Sequence, residues 1–241
     1  SHPRGPVVFD FRPGRSRDGP RQFLAGFRGI LQTDGYAAYE QLGGPEIVLA
    51  ACWARGALWA RRKFYEAAKL APRELLPARI VAGIDELFRI DAEARAQGLD
   101  LAQRHALRRQ RAPAVLAEVR RRIEQARGEA LPASALGRAV AYALAQWPKL
   151  VRFLEYPELE LSNNLAENAI RPVALGRKNW LHLGSPEAGA KIAVILSVLA
   201  TCRRLRIDLR AYLLDVLPRL ADTSIRKVAE LTPTAWSAQR R

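Results

Sequence analysis

Apolar residues follow two different spacings along the chain. Up to about residue 57 they come in short runs, at 7–11, 30–33 and 47–53, with the length and composition typical of strands. From 57 to 155 they recur every three or four positions, as on helices that bury one face; examples are Ile80, Ile84, Leu87 and Ile90. The pattern predicts a mixed α/β region followed by a large block of helices.

Several boundaries follow from the same pattern. A helix is predicted over 134–154, with Pro148 as a kink or a break because proline cannot donate a backbone hydrogen bond. Two more amphipathic helices are predicted, one through 192–202 and one over 208–220. The tail from Thr232 is expected to be loose.

The chain is strongly basic. Its 241 residues hold 39 Lys and Arg against 24 Asp and Glu, a net charge of +15, and the pI is about 10.8. This balance favours a polyanionic partner, most simply DNA or RNA. The alternative is a basic protein whose arginine-rich helices only face solvent.

Motifs of several common function classes are absent from the sequence. Cys52 and Cys202 each sit in an apolar stretch, which favours buried free thiols over a disulfide. No zinc-ligand spacing, P-loop, dinucleotide fingerprint or hydrolytic triad is present. No apolar run is long enough to span a membrane, so a cytoplasmic location is expected. The chain contains no Met, so we expect a processed chain or a fragment.

Asp34 is the first candidate for chemistry. It follows the apolar run at 30–33, so it is predicted to lie at the end of a strand. Such a position holds a carboxylate firmly and leaves it open to a divalent metal. The alternative is turn chemistry, because Asp followed by Gly is a common turn pair.

Glu167 is the second candidate, in the first turn of a predicted helix. It could fold back on Asn164 in a capping box, or pair with Arg171 one turn later. Neither explains why Asn163, Asn164 and Asn168 crowd the same turn, since asparagine is a poor helix former. The amides therefore indicate a polar site that they support. An Asp at a strand end and a distant Glu can together form a two-metal site for phosphoryl transfer.

Two basic groups are candidates for contacting phosphates. Arg171, Arg177 and Lys178 follow Glu167 along the chain. A second group lies on the basic face of the helix predicted at 57–70, namely Arg61, Arg62 and Lys63. Such contacts position DNA without specifying its sequence; the alternative is again a solvated face.

Four stretches of the chain resemble the transposases of the insertion-sequence-66 family. They run from Leu24 to Tyr36, from Ser162 to Pro172, from Ala174 to Leu181 and from Ile195 to Leu220. The resemblance implies a DDE enzyme with an α/β, RNase H-like mixed core, truncated at its N-terminus, with a large all-helical insertion and C-terminal helices. Asp34 matches the second catalytic carboxylate and Glu167 the third.

The resemblance also implies cofactors, partners and boundaries. Mg²⁺ or Mn²⁺ would be held by the carboxylates. The partners would be transposon ends and target DNA, helper proteins of the same element and further copies of the chain, in a bacterial nucleoid. The boundaries would be a partial core at 1–56, the helical insertion at 57–155, the rest of the core at 156–206 and a C-terminal segment at 207–241.

Two departures from the family pattern predict low activity. The strand that carries the family's first carboxylate has no counterpart here, and Asp10 lies too close to Asp34 in sequence to leave room for the intervening strands. Between Cys52 and Phe64, extra residues replace a family histidine. We therefore expect weak or no strand transfer by this chain alone. The rival hypothesis is a non-enzymatic basic DNA-binding protein, in which Asp34 and Glu167 lie far apart.

Overall fold

The chain is mostly helical, with one small sheet. A computed structural model describes residues 5–14, 16–34, 37–40, 42, 46–53, 60–180 and 185–240, and of 177–180 it describes the backbone alone. In chain order the elements are α1 (Asp18–Phe23), β1 (Gly29–Thr33), α2 (Ala37–Glu40), β2 (Ile47–Ala51), α3 (Ala60–Leu70), α4 (Leu75–Ala96), α5 (Leu101–Glu129), α6 (Ala135–Leu150), a 3₁₀ turn (Arg152–Leu154), α7 (Asn164–Trp180), α8 (Pro186–Leu205), α9 (Leu209–Leu220), a second 3₁₀ turn (Val228–Leu231) and α10 (Pro233–Gln239). None of these described helices is long and apolar enough to cross a lipid bilayer.

The two strands pair in parallel. Gly29 lies opposite Ile47 and Thr33 opposite Ala51, so their carboxyl ends meet at one edge of the sheet. This confirms strands in the runs at 30–33 and 47–53. Within the described residues the sheet has two strands, and the RNase H-like core stays a prediction.

The chain divides into two compact units. The helical unit comprises residues 20–165, and the terminal unit comprises 1–19 and 166–241. The four-part division predicted from the sequence stays a prediction.

The helical unit has one large apolar core. α3, α4, α5 and α6 pack together around side chains that are almost fully buried, among them Phe64, Ile80, Ile84, Val119 and Ile123. Local sequence begins the two later helices. A capping box between Asp100 and Gln103 begins α5, and the Ser134 hydroxyl caps α6.

Pro148 does not break α6. The helix continues to Leu150, which is buried in the core. Trp147, next to the proline, meets the ring of Trp53 edge-on at a centroid distance of 5.7 Å. We attribute the continuous helix to this packing, which offsets the hydrogen bond that proline cannot make.

The strand predicted at 7–11 is wrong. This extended segment lies in the terminal unit and bonds to side chains of α8 instead of another strand. The backbone N–H of Val7 donates to Thr201 Oγ1 at 3.0 Å, and that of Phe9 donates to Ser197 Oγ at 2.8 Å. Helix side chains thus satisfy amides that a sheet would otherwise satisfy.

The terminal unit has a small core of its own, and the prediction of a loose tail is wrong. Trp236 of α10 is buried edge-on to Tyr212, with a centroid distance of 5.5 Å. Its indole N–H donates to Asp215 at 2.7 Å, and the Tyr212 hydroxyl donates to the carbonyl of Leu231 at 2.7 Å. Cys202 in this core and Cys52 in the helical unit are buried thiols outside any disulfide, as predicted.

Candidate functional site

Asp34 directly follows β1, at the carboxyl end of the sheet. Thr33 pairs with Ala51, so Asp34 and Cys52 are the next residues of two neighbouring parallel strands. Adjacent strands are about 4.8 Å apart. The position of Asp34 at a strand end is therefore as predicted, and its side chain is half-buried.

Tyr142 of α6 adjoins this edge of the sheet. Burial, followed by the charges of Asp34, Cys52 and Glu40, raises the pKa of Tyr142 to about 12. The ammonium group of Lys63 lies 5.0 Å from the centre of the Tyr142 ring. Tyr142 therefore stays a neutral phenol near neutral pH, with the lysine beside its ring.

Asn163 is fastened at the same edge. Its backbone N–H donates to the Cys52 sulfur at 3.2 Å. Its side-chain Oδ1 is buried and accepts no hydrogen bond within the part of the chain that the structure describes. A buried amide oxygen without a donor is unusual, because such atoms are normally satisfied. It is also a suitable oxygen ligand for a hard cation.

α7 begins directly after Asn163, at Asn164. Glu167 lies in its first turn, and Asn164, Glu167, Asn168 and Arg171 are all exposed. The start of α7 belongs to the helical unit, and the chain passes into the terminal unit after Leu165. The structure thus brings Asp34 and Asn163 to one sheet edge within the helical unit. The convergence of Asp34 with Glu167 stays a prediction.

The basic residues on α3 have different partners. Arg61 makes two hydrogen bonds to Asp85, of 2.5 and 2.8 Å, and this raises the pKa of Arg61. Arg62 pairs with Glu66 one turn along, at 2.8 Å. Lys63 faces the Tyr142 ring.

The other candidates lie on or near α7 and in the first residues. Arg171 is exposed, while the side chains of Arg177 and Lys178 lie outside the described residues. Asp10, the possible substitute for the first carboxylate, is bound by Arg12 at 2.6 Å. DNA binding by any of these groups stays a prediction.

Within the described ranges, no group of three or more His, Cys, Asp or Glu side chains is arranged to hold a metal ion. Sequence reasoning did not identify Tyr142 or the contact between Cys52 and Asn163. A usable signal for Cys52 was its place directly after the second strand, as Asp34 follows the first.

Comparison with known proteins gives a consistent picture. The family described as Transposase IS66 family matches residues 3–191. The uncharacterized protein y4hP of Sinorhizobium fredii is 34% identical over 238 residues, which cover 92% of this chain and 42% of y4hP. The uncharacterized protein y4qI of the same organism is 36% identical over 223 residues, covering 89% and 40%. The chain thus spans less than half the length of these curated relatives. No solved structure matches the chain significantly.

Proposed function

Because the chain belongs to the IS66 transposase family, we propose that it forms the catalytic domain of a DDE-type DNA transposase on an RNase H-like core. In the proposed reaction water hydrolyses a phosphodiester at the end of the element and leaves a free 3′-hydroxyl. That hydroxyl then attacks a phosphorus of the target strand in line and displaces the 3′-oxygen of the target strand. The observation that carries the proposal is Asp34 at the carboxyl end of β1, with the segment that leads into α7 fastened beside it.

We propose that Asp34 and Glu167 hold a divalent ion together. Asp34 is half-buried at a strand end, a rigid position suited to a ligand. Glu167 is exposed in the first turn of α7, a few residues after the fastened Asn163. The short distance along the chain from Asn163 to Glu167 is the sequence argument for joining it to the site.

The donor chemistry fits Mg²⁺ or Mn²⁺. Asp34 and Glu167 supply carboxylate oxygens, and Asn163 Oδ1 is a buried amide oxygen without a donor in the described chain. Ions held by these residues would help to activate the attacking oxygen and to stabilise the leaving oxygen. The supporting amides Asn164 and Asn168 are exposed on the same turn, where they can orient water or a phosphate.

Basic side chains position the DNA in this proposal. Of the three on α3, Lys63 is best suited to a phosphate, since Arg61 and Arg62 already pair with carboxylates. Lys63 lies beside the Tyr142 ring, and the pKa of Tyr142 is raised in part by the charge of Asp34, which supports a role for Lys63 at this site. Arg171, Arg177 and Lys178 follow Glu167 on α7 and extend the contact. Helper proteins and further copies of the chain stay proposals.

We propose that this chain alone transfers strands weakly or not at all. Two carboxylates bind a metal less tightly than three, and the described residues hold no larger metal-binding group. Efficient cleavage of element ends by the isolated chain would contradict this. The second candidate function is a DNA-binding protein without catalysis, which the net charge of +15 favours.

Calorimetric titration with Mn²⁺ tests the proposed site. Asp34→Asn and Glu167→Gln should each weaken binding about tenfold or more, since even outer-shell changes at metal sites cost this much. Asp10→Asn is the control for a carboxylate bound by arginine, and Glu187→Gln is the control for an exposed acid in the first turn of a neighbouring helix. Both controls should bind like the parent chain.

The possible results separate the two functions. Loss of Mn²⁺ binding in the two site variants alone supports the transposase site. Equal binding by all four variants contradicts it and leaves salt-sensitive DNA binding as the activity. An effect of Asp10→Asn as large as that of Asp34→Asn would identify Asp10 as the missing first carboxylate.

A further inference from the structure

Residues 159–161, which lead toward α7, are held by three different parts of the helical unit. The carbonyl of Leu159 accepts from Arg108 Nη1 of α5 at 2.7 Å. The carbonyl of Glu160 accepts from the Gln32 side chain of β1 at 2.5 Å, and that of Leu161 accepts from the backbone N–H of Trp53 at 2.9 Å. Three consecutive carbonyls are thus bound although the segment itself has no regular structure.

Arg108 reaches this segment from inside a buried charge cluster. Its side chain is 1% exposed, and its Nε donates to Asp91 of α4 at 2.6 Å. Its guanidinium lies 5.9 Å from the ring centre of Phe153. Arg104, on the same face of α5, donates to the Glu160 carboxylate at 2.9 Å. The Glu160 carboxylate also pairs with Arg95 of α4.

The cost of burying these charges argues for a role beyond stability. A buried ion pair is often no more stabilising than well-packed apolar side chains of the same volume. What the guanidinium of Arg108 adds is direction, because its planar donors reach Asp91 and the Leu159 carbonyl at once. An apolar replacement could fill the space but could not hold that carbonyl.

We infer that Arg108 and Arg104 are positioning residues through which the helical insertion sets the site. They lock residues 159–163 against the carboxyl ends of β1 and β2, and so fix Asn163 and the start of α7 at the edge that carries Asp34. This inference rests on the proposed function for its link to metal binding. The locking of the segment stands on the contacts of the helical unit alone.

The reactivity of Cys52 measures how firmly residues 159–163 are held, and it needs no metal or DNA. We call these contacts of residues 159–163 the lock. The Cys52 thiol is 2% exposed. The thiol donates to the Leu161 carbonyl at 3.6 Å and accepts from the Asn163 N–H at 3.2 Å. Release of the segment therefore uncovers Cys52. Cys202 is buried in the terminal unit and serves as an internal reference in the same sample.

The experiment measures alkylation of each cysteine by iodoacetamide, located by peptide mass mapping. Arg108→Met should raise the Cys52 rate on the order of tenfold or more, as expected for local opening, and leave the Cys202 rate unchanged. Arg111→Met is the matched control. Arg111 lies one turn along α5 and also bridges to α4, through Glu93 at 2.7 Å, instead of to residues 159–163.

Two further variants separate positioning from general stability. Arg108→Lys retains the charge beside Asp91 but lacks the planar donors, so it should restore the melting temperature while Cys52 stays reactive. Gln32→Leu removes the donor to the Glu160 carbonyl without leaving a charge unpaired. It should raise the alkylation rate of Cys52 several-fold. We expect this variant to fold, so it tests the inference even if Arg108→Met fails to fold.

The results bear separately on the lock and on the site. Cys52 protection that follows the melting temperature across all variants, or that is unchanged in Gln32→Leu, would overturn the lock. If Cys52 is released, the Mn²⁺ affinity of Arg108→Lys should fall several-fold; an unchanged affinity would overturn the link to the site. If the parent chain binds no Mn²⁺, the proposed metal site fails, and the alkylation rates still decide the lock.

Discussion

The two units bury and pair their charges in different ways. The helical unit carries 22 Lys and Arg against 16 Asp and Glu, while the terminal unit carries 17 against 8. In the helical unit most described arginines pair with carboxylates, including the buried Arg104 and Arg108. In the terminal unit the described ion pairs centre on two acids, Asp10 and Asp215.

This difference shows which charged side chains connect elements of the fold and which do not. The helical unit has a large continuous core, and its arginines join helices to each other and to residues 159–161. Among the described residues, the terminal unit has a core cluster of five buried residues. Its exposed arginines Arg203, Arg206 and Arg210 have no carboxylate partner in the same described part of the chain. An unpaired excess of charge destabilises a compact unit and attracts a polyanion. If the chain binds DNA as proposed, we expect the terminal unit to supply most of the electrostatic attraction.

The largest effect is expected in the core of the helical unit. Phe64 of α3 is fully buried among the four long helices. Phe64→Ala should lower the free energy of unfolding by about 3–5 kcal/mol, because it removes apolar packing and leaves a cavity. Urea unfolding followed by circular dichroism measures this. Tyr65→Ala is the matched control, since Tyr65 is 53% exposed; equal losses in both variants would contradict a core at α3.

A smaller and local effect is expected in the terminal unit. Tyr212→Phe leaves the buried Leu231 carbonyl without its donor and should cost about 1–2 kcal/mol. Hydrogen exchange should accelerate for the amides of α9 and α10 and stay unchanged in α3 to α6. Faster exchange throughout both units would show that they unfold together. Tyr65→Phe, at an exposed position, should change neither.

Removing exposed arginines should affect DNA affinity more in the terminal unit than in the helical unit. Arg206→Ala with Arg210→Ala should weaken binding of a duplex and reduce the slope of log affinity against log salt by about one for each phosphate that is no longer neutralised. Arg89→Ala with Arg121→Ala removes two exposed arginines of the helical unit that pair with Glu86 and Glu118. This control should leave the slope nearly unchanged. A larger decrease in the control pair would assign DNA binding to the helical unit.

The smallest effect is a dependence of stability on alkaline pH. Tyr142 has a pKa of about 12 in the folded chain, against 10.0 for an ordinary tyrosine. The folded state therefore holds this proton more tightly, and its contribution to stability is complete below pH 10.0 and is lost as the pH rises through about 12. Tyrosinate absorbance, compared with that of Tyr142→Phe, measures the titration. Asp34→Asn should lower the pKa of Tyr142. An unchanged pKa would show that the charge of Asp34 does not act on Tyr142.

Much about this protein was determined by the sequence alone. The family follows from stretches such as Ser162 to Pro172, and the matching family covers residues 3–191. The strands before Asp34 and Cys52, and the helices of the central block, follow from the spacing of apolar residues. These features are local, because hydrophobic period and capping residues act over a few positions.

Only the tertiary structure decided which groups meet. The segment at 7–11 has a strand-like sequence but bonds to the side chains of α8, and the tail after Thr232 is ordered by the burial of Trp236. Arg108 and Leu159 are 51 positions apart, and no local pattern in the sequence connects them. A buried polar group must find a partner wherever the fold supplies one. That requirement determined the lock on residues 159–163, and it could not be derived from the order of residues.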